Sequence, residues 1–109
     1  MKVGVARETA PGERRVALVP ESCKKLAQAG YDITIESGAG DAAGFLNPQY
    51  SDAGAALAPD AASLLASGDL VLKVTAPSTA EIAAMKPGAI YIGSLMPLRH
   101  LDEIGRAHV

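Results

Sequence analysis

Tryptophan is absent from the chain, and phenylalanine and tyrosine together reach only 4% of its 109 residues. A sequence so poor in flat rings offers no stacking platform for nucleobases. Positive charge is scarce too. Ten Lys and Arg against 12 Asp and Glu leave a formal charge of −2, without a basic cluster, which argues against nucleic acid as a partner. The single cysteine, Cys23, cannot close an internal disulfide, so the framework is not that of a small secreted scaffold. No apolar run approaches the ~20 residues of a membrane-spanning helix. The opening MKVGVARETA turns polar too early for a signal peptide, and a cytoplasmic location is expected. Histidine occurs only as His100 and His108, so no carboxylate–histidine–nucleophile set is apparent. There is no cluster of metal ligands, and no GxxxxGK[ST] phosphate loop.

What remains is 49% hydrophobic and rich in alanine and glycine, enough for one domain with a modest core of closely packed helices and strands. KVGVARE alternates Val3 and Val5 and reads as a first strand. PESCKKLAQAG has Pro20 and Glu21 in a helical first turn, apolar residues at helical spacing and Gly30 as a stop. Cys23 falls on that apolar stripe, and burial explains it better than reactivity, although two lysines follow it. YDITIES is a second strand, and a loop follows with a short helix at Pro48 to Ala53. A short third strand is expected around Ala56. PDAASLLASG is a helix with Asp60 or Ser63 as cap and Gly68 as stop. DLVLKVTAP is apolar enough for a strand in the middle of a parallel sheet. STAEIAAMKPG is a helix capped at Ser78 or Thr79, and AIYIGSL is a further strand. Strands alternating with short helices predict an α/β fold: an open, mostly parallel sheet with helices on both faces, of Rossmann or flavodoxin type.

Three features carry candidate chemistry. Gly38, Gly40 and Ala43 stand at GxGxxA spacing after a strand, as in a dinucleotide loop. Asn47-Pro48 interrupts the helix that should follow such a loop, and the strand before it is the second, so a structural turn is the better reading. Lys73 interrupts LVLKV near the C-terminal end of a central strand, where open α/β sheets collect ligands. It is either aimed at a ligand or a snorkelling or ion-paired lysine on an edge strand. Arg14 and Arg15 precede the apolar run Val16 to Val19 in the loop after strand one. They are either solvated, or one of them holds an anion. If strands one and four are neighbours, Arg15 and Lys73 converge on one anion, with Arg as a fork and Lys as a point charge. Glu8 and Glu13, in the same loop, read as solvated carboxylates.

The order of these pieces resembles the N-terminal domain of the alanine dehydrogenase and pyridine-nucleotide transhydrogenase family. The resemblance rests on a strand, then Glu8, Glu13, Arg15-Val16-Ala17 and Pro20, a helix, a second strand and Glu36-Ser37-Gly38-Ala39-Gly40. YSDAGA, DLVLKV and KPGAIYIGSL follow in register, so it covers residues 1–102. Alanine dehydrogenases carry K-V-K-E-P after the fourth strand and a histidine in L-H-L after the fifth. This chain has Lys73-Val74-Thr75-Ala76-Pro77 and Met96 at those places, with His100 four residues on. It therefore resembles the branch of the proton-translocating NAD(P) transhydrogenase α subunit.

The resemblance implies hydride transfer between NAD(H) and NADP(H) coupled to proton movement. It implies NAD held mainly by a downstream domain with the true GxGxxG loop, and NADP held by a β subunit. It further implies a homodimer of α subunits and a place peripheral to the inner membrane. Within it, Arg15 and Lys73 face the interdomain cleft, and no residue of this segment is expected to be catalytic or to bind the cofactor. Two other functions stay open: an alanine dehydrogenase N-terminal domain, and a stand-alone anion-binding domain without catalysis.

The closing EIGRAHV has no counterpart in the family pattern. It equals the translation of GAG ATC GGA AGA GCA CAC GTC followed by TGA, which is, after its first bases, a common sequencing adapter. Residues 103–109 are therefore expected to be read-through rather than native, with the domain broken off near Asp102. The other reading is a natural terminal helix over Leu98 to Ala107. Truncation is expected to leave apolar surface around Ile90, Ile92 and Leu95 poorly covered.

Overall fold

A computed structural model of the chain describes residues 1–93. The expectations for Leu95, Met96, His100, His108 and the 103–109 segment lie outside the described residues. Among the described residues five strands form one sheet: β1 Lys2–Val5, β2 Asp32–Glu36, β3 Ala56–Ala58, β4 Leu70–Leu72 and β5 Ile90–Ile92. Their order is β3-β2-β1-β4-β5, and every pairing is parallel. The helices of this part are α1 Pro20–Gln28, α2 Asn47–Asp52, α3 Ala61–Ser67 and α4 Thr79–Ala84, with a 3-10 turn at Asp41–Ala43. The chain thus winds outward from β1 in one direction to β3 and then in the other to β5. This is the doubly wound arrangement of Rossmann-like domains.

Period-two alternation sorts the apolar residues onto two faces. Val3 and Val5 stand level with Ile33 and Ile35 on one side and with Leu70 and Leu72 on the other. These six share a core with Cys23 and Leu26 of α1, Tyr50 of α2 and the buried run Val16 to Leu18. On the opposite face Ala6 and Val71 meet Leu64 and Leu65 of α3. Gly4 lets α3 come down on β1, since a Cβ there would stand 3.1 Å from the Leu64 side chain.

The local signals place most element ends. Asp60 caps α3, its carboxylate accepting from the Ser63 amide at 2.8 Å, so Ser63 is the residue capped rather than the cap. Ser78 caps α4 in a reciprocal box with Glu81. Gly30 follows α1 with φ of +98°, the left-handed backbone that favours glycine. The apolar stretch at 69–77 is strand only over Leu70–Leu72, so Lys73 lies one residue beyond the strand rather than within it. β5 closes the described sheet, and Ile90, Tyr91 and Ile92 are all only half-buried. The two isoleucines pack against the core that β1 and β4 build and are not among the exposed large hydrophobic residues.

Burial gives Cys23 a testable character. Its thiol is shut in the core, and desolvation pushes its pKa from 9.0 up to about 12, so it stays neutral and inert at physiological pH. The unfolded thiol ionises near 9 and the folded one does not. The contribution of this group to stability is therefore intact below pH 9 and lost as pH rises from about 9 to 12. Denaturant titrations across that range are expected to show a falling limb that Cys23→Ala flattens. A thiol reagent at pH 7.5 is expected to label Cys23 only in denaturant.

Candidate functional site at the C-terminal edge of the sheet

The loops that follow β1, β2 and β4 leave the sheet at its C-terminal edge, where an open α/β sheet gathers its ligands. Within the first loop Val16 to Leu18 are buried and anchor it to the core. Arg14 and Arg15 are left on the outside of that anchor. Glu13 holds Arg15 three ways. It accepts from the Arg15 amide at 2.9 Å, from Nε at 3.0 Å and from a terminal guanidinium nitrogen at 2.9 Å. The guanidinium and that amide hold the Glu13 carboxyl down to about 2. Arg15 still exposes 65% of its side chain, so one carboxylate orients it without hiding it.

Glu8 corrects the sequence reading more sharply. Its carboxylate crosses to the end of β4, where it accepts from the Val74 amide at 2.8 Å, the Thr75 amide at 3.1 Å and the Thr75 hydroxyl at 2.7 Å. Neither Glu8 nor Glu13 is a solvated loop charge. Free backbone donors beyond β4 and a guanidinium two residues away recruit them, and both partners are invisible to composition and period. Arg15, whose pKa is raised chiefly by Glu13, also feels the Glu8 charge. An open pocket of about 200 Å³ lies between the first loop and residues 38–42 of the second. Arg7, Glu8, Glu13, Arg15 and Asp41 all face it.

Lys73 immediately precedes the backbone that Glu8 grips. Only 1% of it is exposed, and its ammonium donates to both Glu81 oxygens at 2.9 Å. Burial tends to raise the Glu81 pKa, but the Ser78 amide and the Lys73 ammonium outweigh that and leave it below the ordinary 4.5. β4 lies between β1 and β5, so Lys73 is ion-paired, as one alternative held, but not on an edge strand. β1 and β4 are neighbours, the condition for Arg15 and Lys73 to approach each other. Even so, each cation is bonded to its own carboxylate, and Lys73 does not line the pocket that Arg15 lines.

The glycine loop is built from inside. Gly38 has φ of +82°, and its amide donates to the Asn47 side-chain oxygen at 2.9 Å. Asn47 in turn donates to the Ser37 hydroxyl at 2.9 Å, so the residue that interrupts a dinucleotide helix is the pin of the turn. A Cβ on Gly40 would stand 2.6 Å from the Phe45 carbonyl oxygen and 2.6 Å from the Tyr50 ring. Tyr50 is fully buried, with its hydroxyl donating to the Leu18 carbonyl at 2.8 Å. It thereby ties the second loop to the arginine loop. The sequence reading passed over Tyr50; the signal available was a lone large ring among alanines and glycines.

The sequence matches the family described as alanine dehydrogenase/PNT, N-terminal domain, over residues 4–107. The chain belongs to this family. It is 38% identical over 102 residues to the NAD(P) transhydrogenase subunit alpha of Cereibacter sphaeroides, covering 94% of this chain and 20% of that protein. It is also 38% identical over 88 residues to the alanine dehydrogenase of Halomonas elongata, covering 81% of this chain and 24% of that protein. Among solved structures, transhydrogenase from Sinorhizobium meliloti superposes with a TM-score of 0.81 at 36% identity, over 95% of this chain and 31% of that one. The chain thus spans about a fifth to a quarter of the length of these curated relatives. Membership of the family and its α/β fold, as the sequence motifs implied, are established. Among the described residues no helix is long and apolar enough to cross a membrane.

Proposed function

We propose that this chain is the N-terminal part of an NAD(P) transhydrogenase α subunit, an oxidoreductase passing hydride between NAD(H) and NADP(H) with coupled proton translocation. The observation that carries this reading is the segment leaving β4. Lys73 is followed by Val74-Thr75-Ala76-Pro77, the transhydrogenase pattern, where the dehydrogenase branch has a further lysine and a glutamate. The likeness over 94% of the chain to a transhydrogenase subunit, against 81% to an alanine dehydrogenase, supports the same branch. On this reading NAD is held mainly by a downstream domain and NADP by the β subunit. The α subunits pair, and the assembly sits peripherally on the cytoplasmic side of the inner membrane.

Arg15 faces the interdomain cleft beside the nicotinamide, Lys73 stands behind that wall in its buried pair with Glu81, and both shape the cleft electrostatically. Neither transfers a proton or hydride. We also read residues 103–109 as non-native on their match to an adapter translation, although the family match runs on to residue 107; sequencing the source DNA past codon 102 decides between the two.

The isolated 109-residue chain is expected to show no NADH-dependent turnover, because one cleft wall does not hold a nucleotide in position for transfer. A complete reading frame joined to its β subunit is expected to transfer hydride from NADPH to an NAD⁺ analogue. Pyruvate- and ammonium-dependent NADH oxidation by that complete product would instead favour the dehydrogenase branch. Turnover by the 109-residue chain alone would overturn the fragment reading.

A further inference from the structure

We infer that Glu8 is a positioning residue, whose carboxylate sets the arginine loop in register with the segment carrying Lys73. The inference rests on the proposed reading of Arg15 and Lys73 as cleft residues. β4 ends at Leu72, and the Lys73 amide is the last to find a strand partner, the Ile92 carbonyl at 3.0 Å. Beyond it the Val74 and Thr75 amides point toward the first loop, and a buried or half-buried amide without an acceptor is strongly unfavourable. Glu8 answers both, one oxygen taking Val74 and the other taking the Thr75 amide and hydroxyl. Charge-assisted bonds from a carboxylate are the strong kind, and two adjacent amides fix its orientation as well as its position.

The network extends past Thr75, whose carbonyl accepts from the Tyr91 hydroxyl of β5. The carboxylate thus joins the loop after β1 to the segment leaving β4, and Thr75 carries the link on to β5. The Glu8 charge reaches Arg15, and the backbone that Glu8 grips begins one residue after Lys73. Each cation is oriented by its own carboxylate, Glu13 or Glu81, but neither of those spans the two loops. Glu8 does, so it fixes the offset between them.

Glu8→Gln is the informative variant. It keeps the shape and one acceptor but turns an NH₂ toward a backbone donor. Hydrogen exchange and ¹⁵N spectra of the 109-residue chain are expected to show the Val74 and Thr75 amides exchanging at least ~10-fold faster than in the parent. The Arg15 Nε–H resonance is expected to shift, while Val3, Ile35 and Leu70 keep their protection. Thr75→Val, which removes only the hydroxyl donor, is expected to give a smaller change at the same places. A purely structural role predicts protection lost evenly through the core, and that result overturns the inference. So does unchanged exchange at Val74 and Thr75. In the complete α–β assembly, Glu8→Gln is expected to lower kcat by roughly tenfold with little change in KM, as for a lost positioning contact. Wild-type kcat in that variant overturns the inference. An inactive wild-type assembly counts against the proposed function instead, and the exchange data then decide the role of Glu8.

Discussion

Gly40→Ala is expected to destabilise the domain by about 3 kcal/mol or more, at the top of the range for an overpacked core. Its backbone is ordinary, so conformational strain contributes nothing; Gly40 is not among the glycines with positive φ. The reason is space. The added methyl would meet the Phe45 carbonyl oxygen and the Tyr50 ring, both at 2.6 Å. Neither can retreat cheaply. The Phe45 amide donates back to the Gly40 carbonyl at 2.9 Å, closing the turn on itself. Tyr50 has no exposed surface and is held at its far end by the Leu18 carbonyl. Gly12→Ala is the control for left-handed backbone alone: φ is +79° and nothing lies within 4 Å of a Cβ, so about 1–2 kcal/mol is expected. Urea midpoints of the two variants check the contrast. If Gly40→Ala falls within 1 kcal/mol of the parent, the packing explanation of this glycine is wrong.

That prediction also marks what the sequence can and cannot disclose. Val3 with Val5 and Ile33 with Ile35 announce strands by period two, and Pro20, Gly30, Asp60 and Ser78 bracket helices by local chemistry. Those signals reach only a few residues along the chain, and where they operate the elements fall in place. The site is made of contacts between loops. Glu8 finds its donors 66 and 67 residues away, and Asn47 reaches back 9 to Gly38. Neither residue type advertises its partner, so Glu8 reads as a solvated acid and Asn47 as a mere helix breaker. Arg15 and Lys73 stand out in the sequence because a charge beside an apolar run is anomalous in itself. Their carboxylate partners do not, since a Glu in a loop or on a short helix is ordinary until the fold shows what stands opposite.

Lys73→Ala is expected to destabilise by about 3 kcal/mol, the lower end for breaking a buried ion pair. Two effects add. The aliphatic stem of a residue only 1% exposed leaves a void, and Glu81, with 16% of its side chain exposed, loses its counter-charge. The Ser78 amide still donates to Glu81, which keeps the loss from reaching the upper end. The double variant Lys73→Met with Glu81→Gln separates the terms. Met refills the volume, Gln still accepts from Ser78, and no charge is left unpaired. Stability is then expected to return to within about 1 kcal/mol of the parent, because well-packed neutral groups often replace a buried pair without loss.

The acid limb supplies an independent check. Glu81 has a folded pKa below its ordinary 4.5, so its contribution is present above that value and lost as pH falls through the folded one. The double variant is expected to lose this part of the acid sensitivity. Placed in the complete assembly, it is expected to fold yet transfer hydride at least tenfold more slowly if the Lys73 charge acts in the cleft. Full activity would mean that Lys73 serves only to hold α4 against the sheet.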